Sequence, residues 1–371
     1  MNRWKRIFQF TIILLLFNGL LFYIGWNGWL WLKTSFGIEN VILYSLFYFL
    51  FSYSFLIGRL SPYLAFFRTV GNIWFGIFQY ALILLPIADI FILSLKLAIG
   101  PLLQQTYLLT GITVILLFLI IFGFGLYNAY CPIIRKYQIS VPKKNGKRSA
   151  MRIAVASDMH FGRLSGVRHL KRLVAEVKKI EPDLILLPGD IIDDEPEPFI
   201  QKNMGSIMKD LKAPLGVFGV LGNHEYYGGQ IPQFIDHMKN INIKILLDEL
   251  LTIEDSFHLL GRKDKTDKAR KTFEELVGDI DRSYPIIAMD HQPYEIKQAQ
   301  ENGIDVLFSG HTHRGQMAPN HFITRKIYEL DWGYLQKEQL HTFVSSGYGF
   351  WGPPLRIGSR SEILQIDITF N

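Results

Sequence analysis

Five segments of this chain carry side chains able to hold cations: Ser157-Asp158-Met159-His160, Gly189-Asp190-Ile191-Ile192-Asp193, Gly222-Asn223-His224-Glu225, Asp290-His291-Gln292-Pro293 and Gly310-His311-Thr312-His313. In extended chain, residues i and i+2 point the same way, so Asp158 and His160 can converge on one ion. His311 and His313 can each serve one ion of a pair about 3.5–4 Å apart. A pair that close needs a bridging ligand with two oxygens, and Asp190, on a glycine turn, is the natural bridge. Asn223 offers an amide oxygen and His291 an imidazole nitrogen. Oxygen and imidazole donors without thiolate suit Mn, Fe or Zn. Two divalent ions set against Asp158, Asp190 and a bridging hydroxide leave the site near one positive charge, which favours a phosphate oxyanion. Five of the ten histidines fall in these segments; His169, His237, His258, His321 and His341 do not, and read as surface or core residues.

Each segment follows a short apolar run: Ile153–Ala156, Leu184–Leu187, Val217–Leu221, Pro285–Met289 and Val306–Phe308. These read as strands bounded by turn residues. Between the first two lies Val167–Ile180, whose Leu170, Leu173, Val174, Val177 and Ile180 have helical spacing. Strands alternating with helices predict an α/β sheet, and the motifs then sit at carboxyl ends of strands, where such sheets place ligands.

The first 148 residues differ. They hold 13 Lys/Arg against 2 Asp/Glu, whereas the remainder holds 26 against 31. The folded domain is therefore acidic, and no nucleic-acid partner is expected despite the overall charge of +6. The single cysteine, Cys131, excludes a disulfide framework. Four apolar stretches, Ile7–Trp26, Val41–Gly58, Ile73–Leu97 and Leu108–Tyr127, approach the roughly 20 residues a helix needs to span hydrocarbon. Arg3, Lys5 and Arg6 precede the first, and Arg135, Lys136, Lys143, Lys144, Lys147 and Arg148 follow the fourth. This bias predicts an integral membrane protein with both termini and the catalytic domain in the cytoplasm. The expected domains are a four-helix transmembrane module (1–130), a basic juxtamembrane linker (131–149) and an α/β domain (150–371). Asp89, inside the third stretch, is either a functional carboxylate or a paired one, with Lys96 two turns on as a partner.

The ordered motifs, with the tail Ser345-Ser346-Gly347-Tyr348-Gly349-Phe350-Trp351-Gly352-Pro353-Pro354-Leu355-Arg356, resemble the calcineurin-like metallophosphoesterase superfamily. Within it they are similar to a bacterial membrane-associated branch that includes some UDP-2,3-diacylglucosamine pyrophosphatases. The resemblance implies a four-layer α/β sandwich, two central sheets flanked by helices, with two divalent ions. Asp158, His160, Asp190 and His313 would hold one ion, and Asp190, Asn223, His291 and His311 the other. The implied reaction is in-line attack of a hydroxide held by the ions on a phosphoester or pyrophosphate. His224 would protonate the leaving oxygen, with Asp193 and Glu225 as supporting carboxylates. Arg163, Arg314 and Arg356 are candidate phosphate contacts, and Tyr348, Phe350 and Trp351 candidate acyl contacts. A lipid-linked phosphorylated substrate is expected. The alternatives are a phosphodiesterase for a soluble nucleotide, or a membrane sensor or transporter regulated by a phosphoesterase domain. Arg314 departs from the glycine that many relatives of this branch carry after the His-x-His pair.

Overall fold

The protein is described by a computed structural model covering residues 3–143 and 148–371, so Lys144 and Lys147 of the basic tract lie outside the described residues. The chain divides into two compact units, Met1–Gly123 and Phe124–Asn371.

The helices that begin the chain are α1 (Arg3–Phe36), α2 (Val41–Ser52), α3 (Ser54–Ile57), α4 (Ala65–Ile99) and α5 (Gln104–Tyr130). Three of them, α1, α4 and α5, are long and apolar enough to cross a membrane, with mean hydropathy of 2.2 to 2.6. The expected second span is not a single helix. Its α2 has 12 residues and rises about 18 Å, well short of roughly 30 Å of hydrocarbon. Tyr53 leaves the helical region at φ −100° and ψ 8°, and the Ser54 hydroxyl donates to the Phe51 carbonyl at 2.7 Å. A local side-chain bond thus replaces the next helical one. Asp89 pairs with Tyr23, whose hydroxyl donates to its carboxylate at 2.5 Å, rather than with Lys96.

The second unit contains two mixed six-stranded sheets. In chain order the strands are β1 (Ile133–Val141), β2 (Ala150–Val155), β3 (Leu184–Pro188), β4 (Val217–Val220), β5 (Lys244–Ile245), β6 (Glu249–Ile253), β7 (Phe257–Gly261), β8 (Ile286–Met289), β9 (Val306–Ser309), β10 (Gly333–Lys337), β11 (Leu340–Val344) and β12 (Glu362–Phe370). The sheet orders are β1-β12-β2-β3-β4-β5 and β10-β11-β9-β8-β7-β6. All five sequence-predicted strands form.

Period-two alternation divides the core. Ile153 and Val155 of β2 join an apolar layer with Leu259, Ile287, Phe308 and Phe343 of the second sheet. Their neighbour Ala154 instead faces α6 (Val167–Ile180) and its stripe Leu170, Leu173, Val174 and Val177. A third layer covers the far face of the second sheet, where Leu260, Ile286 and Leu307 meet Phe273 and Ile296.

The expected linker is a corrected element. Within 131–149, β1 pairs in parallel with β12 over the whole length from Ile133 to Val141. Ile139 and Val141 are buried between the sheets, while Arg135 reaches the Glu362 carboxylate. From Lys136 to Val141 polar and apolar residues alternate, the pattern of a half-buried strand, and the adjacent charges of Arg135 and Lys136 masked it.

Candidate metal centre

The two sheets bring four strand ends, and the short helix Asn223–Gly228 that follows β4, to one place. Asp158 and His160 follow β2, Asp190 follows β3, His291 follows β8, and His311 and His313 follow β9. Convergence does not arise from the pleat that points residues i and i+2 the same way. Asp158, His160, Asp190, His311 and His313 all have left-handed backbone, with φ between 44° and 70°. That conformation costs a non-glycine residue about 1 kcal/mol or more, and asparagine-, aspartate- or histidine-like side chains tolerate it best. Strands β2, β3 and β9 therefore end in sharp turns that throw their ligand side chains inward. Gly189 (φ +85°) completes the turn before Asp190, where a Cβ would stand 2.6 Å from His291 Nδ1.

The donor atoms form two overlapping groups. Asp158, His160 and His313 offer atoms within 4.8 Å of one another, as do Asp190, His291 and His311. His160 Nε2 lies 3.0 Å from His313 Nε2, and His313 Nε2 lies 3.6 Å from the Asp158 carboxylate. Asp190 Oδ2 stands 3.1 Å from His291 Nε2 and 3.8 Å from His160 Nε2, between the groups. His311 Nδ1 is 2.8 Å from the Asn223 amide oxygen. His291 Nδ1 donates to the Pro188 carbonyl at 2.8 Å, which turns Nε2 toward Asp190. All these groups are buried except His311, which is partly exposed.

Electrostatics follow from that crowding. Burial pushes the Asp158 carboxyl up and the His160 and His313 imidazoles down. Burial also opposes the charge on Asp190, but the adjacent His291 overrides it and holds that carboxyl well below its usual range. Two carboxylates, four imidazoles and an amide oxygen, packed as acceptors in a dry site, fit divalent cations by donor chemistry.

His224 occupies the rim. Its Nδ1 lies 2.7 Å from Asp194 and 4.0 Å from Asp193, so the orienting carboxylate is the residue after the one expected. Burial alone would lower this imidazole, but the Asp194 hydrogen bond and the Asp190 charge outweigh it and raise it to about 9. Its backbone N–H donates to Asp190 Oδ1 at 3.0 Å. Glu225 is buried and accepts from the N–H groups of Asp190, Ile192 and Gly222 at 3.2, 3.0 and 2.7 Å. It clamps the two ligand-bearing turns together rather than facing a substrate.

The arginines divide. Arg356 is fully buried; it donates to the Gly349 carbonyl at 2.6 and 3.0 Å and to Ser359 at 3.2 Å, with one nitrogen 3.1 Å from His313 Nδ1. It fastens the tail loop beneath the ligands and has no exposed surface for a phosphate. Arg314 lies over the Trp332 ring at 3.9 Å, while Arg163 is exposed. Of the tail aromatics, Tyr348 and Phe350 are buried, Tyr348 stacked on His169 and Phe350 edge-to-face with Tyr130. Trp351 is 58% exposed and lies 6.1 Å from the His224 ring; Tyr227, at 63% exposed, lies 5.6 Å from the same ring. The tail is also stitched to the last turns of α5. The Arg356 N–H donates to the Gly125 carbonyl at 3.0 Å, Asn128 donates to the Arg356 carbonyl at 3.1 Å, and the Ser361 N–H donates to the Asn128 carbonyl at 3.0 Å.

Residues 151–315 match the family model for calcineurin-like phosphoesterases. The chain carries a calcineurin-like metallophosphoesterase domain, and the protein is a metal-dependent phosphohydrolase. It is 29% identical to an uncharacterized metallophosphoesterase of Campylobacter jejuni over 89% of this chain and 92% of that one. It is 29% identical to a zebrafish (Danio rerio) transmembrane protein with metallophosphoesterase domain, over 71% of this chain and 62% of that one. A more distant relative, at 24% identity over 60% of this chain and 85% of that one, is the UDP-2,3-diacylglucosamine pyrophosphatase LpxG of Chlamydia trachomatis.

Proposed function

We propose that the protein is a membrane-anchored phosphohydrolase with a dinuclear divalent-metal centre. It cleaves a phosphoester or pyrophosphate bond of a lipid-linked substrate at the cytoplasmic face. The observation that carries the hydrolytic reading is the convergence of two donor groups on Asp190. Asp158, His160, Asp190 and His313 would hold one cation, and Asp190, Asn223, His291 and His311 the other. When bound, the pair supplies Lewis acidity toward phosphoryl oxygens and lowers the pKa of water; Mn, Fe and Zn suit the ligands.

The chain's own residues do the rest. Asp194 holds His224 Nδ1, which leaves Nε2 to donate a proton to the departing oxygen. The raised pKa keeps that proton available at neutral pH. Glu225 keeps Asp190 and Asn223 in register by bonding both turns. Trp351 and Tyr227 offer an apolar lip beside His224.

Three points support a lipid-linked substrate. The catalytic tail is bonded to the end of an apolar helix, the lip is aromatic, and one relative is named for a diacylated substrate. The Lys/Arg bias supports a position for the domain on the cytoplasmic side. The test compares hydrolysis of a diacylated sugar-nucleotide pyrophosphate with that of its deacylated form by the full-length protein. The expected kcat/KM is at least about tenfold higher for the acylated substrate, since burying a few methylenes at about 0.8 kcal/mol each suffices. Equal values would favour a soluble nucleotide.

A further inference from the structure

A cavity of about 560 Å³ lies apart from the metal ligands, at the start of α6. Tyr130, the last residue of α5, forms one wall, and Arg168, Arg172 and Lys202 supply its charge. No carboxylate lines it. Arg172 donates to the Tyr130 carbonyl, which fixes one cation to the end of that helix. Lys202 donates to the Gly162 and Arg163 carbonyls at 2.8 and 3.2 Å, which leaves one ammonium proton for a ligand. Arg168 is exposed. Gly166 gives α6 no side-chain cap, so the helix presents its first N–H groups and the positive end of its dipole here.

A second feature narrows the ligand. His169 lines the cavity and is 97% buried, its relative exposure being 3%. Its Nε2 donates to the Tyr348 carbonyl at 3.1 Å, and its Nδ1 has no hydrogen-bond partner. Burial lowers this imidazole to about 4, so at neutral pH Nδ1 is an unused acceptor. Three cations beside one unused acceptor match an anion that also carries a hydroxyl. The position matches too, because Tyr130 ends a helix long and apolar enough to cross a membrane, and headgroup phosphates lie where such helices emerge.

We infer that this cavity binds the headgroup of an anionic phospholipid whose phosphate is esterified to a hydroxylated alcohol such as glycerol. The site is separate from the one that cleaves substrate, and it stands whether or not the substrate itself is lipid-linked. Its volume lies within the range of small-ligand pockets, roughly 300–1,000 Å³.

The test uses the full-length protein in neutral detergent and follows the unfolding midpoint by tryptophan fluorescence. Short-chain phosphatidylglycerol is titrated against phosphatidylcholine of the same chain length and against soluble glycerol 3-phosphate. A ligand that binds only the folded state raises the midpoint in proportion to its occupancy. A saturable rise is expected with phosphatidylglycerol and not with phosphatidylcholine. The R168Q/K202Q double variant should need at least about tenfold more lipid, at roughly 1 kcal/mol per charge. Lys136→Gln, an exposed cation on β1, should behave as wild type. If the double variant does not fold, Arg168→Gln alone should still weaken the response about fivefold. Equal titrations in wild type and variants, or an equal rise with phosphatidylcholine, would overturn the proposal. A rise at the same concentration of glycerol 3-phosphate would overturn the lipid assignment.

Discussion

At the residue scale, Asp193 and Asp194 are chain neighbours, yet only Asp194 reaches His224. The spacing Gly-Asp-x-x-Asp draws attention to Asp193, but Asp194 has φ 56°, and that left-handed turn swings its carboxylate to the imidazole. Asp194→Asn should lower turnover while leaving metal content unchanged. It should also move the alkaline limb of the pH–rate profile to lower pH, because the bond that raises His224 is lost and the acid form then disappears sooner as pH rises. An unchanged limb would remove Asp194 from this role. His224→Ala should cost roughly 10²–10⁴-fold with metal retained, and less on a substrate whose leaving phenol needs no proton. Loss of metal in that variant would make His224 a ligand instead. The seven candidate ligands were legible because their types and order survive without coordinates. Which of two adjacent acids turns inward, and that Arg356 is walled in by Gly349 and Ser359, depend on backbone angles that no spacing encodes.

At the scale of elements, the catalytic strands and α6 were readable because apolar runs and helical periodicity are strong signals. Two elements were not. Clustered charge on Arg135 and Lys136 disguised β1, and continuous apolarity hid the break at Tyr53 between α2 and α3. The strand has a practical consequence. A fragment starting at residue 149 lacks β1 and leaves β12 as a nine-residue open edge beside Ile139- and Val141-shaped gaps. Such an edge invites pairing between chains. That fragment should aggregate or bind a dye for exposed apolar surface, whereas one starting at residue 132 should elute as a folded monomer or defined oligomer. Identical behaviour of the two would mean that β1 adds little to the domain.

At the scale of the whole molecule, three helices among the described residues suffice in length and hydropathy to cross a membrane, and the orientation we propose, with the phosphoesterase domain in the cytoplasm, rests on the Lys/Arg distribution. Green fluorescent protein fused after Asn371 should fluoresce, and alkaline phosphatase fused there should be inactive; the reverse pair would place the site outside. The chain is proposed to assemble a two-ion centre around Asp190. The most direct measurement is elemental analysis of full-length protein, stripped and then reloaded with Mn, beside Asp190→Asn treated identically. The expected result is about two ions per wild-type chain and one or fewer in the variant, with hydrolysis of a soluble phosphodiester lost in parallel. Two ions retained by Asp190→Asn at an undiminished rate would contradict it.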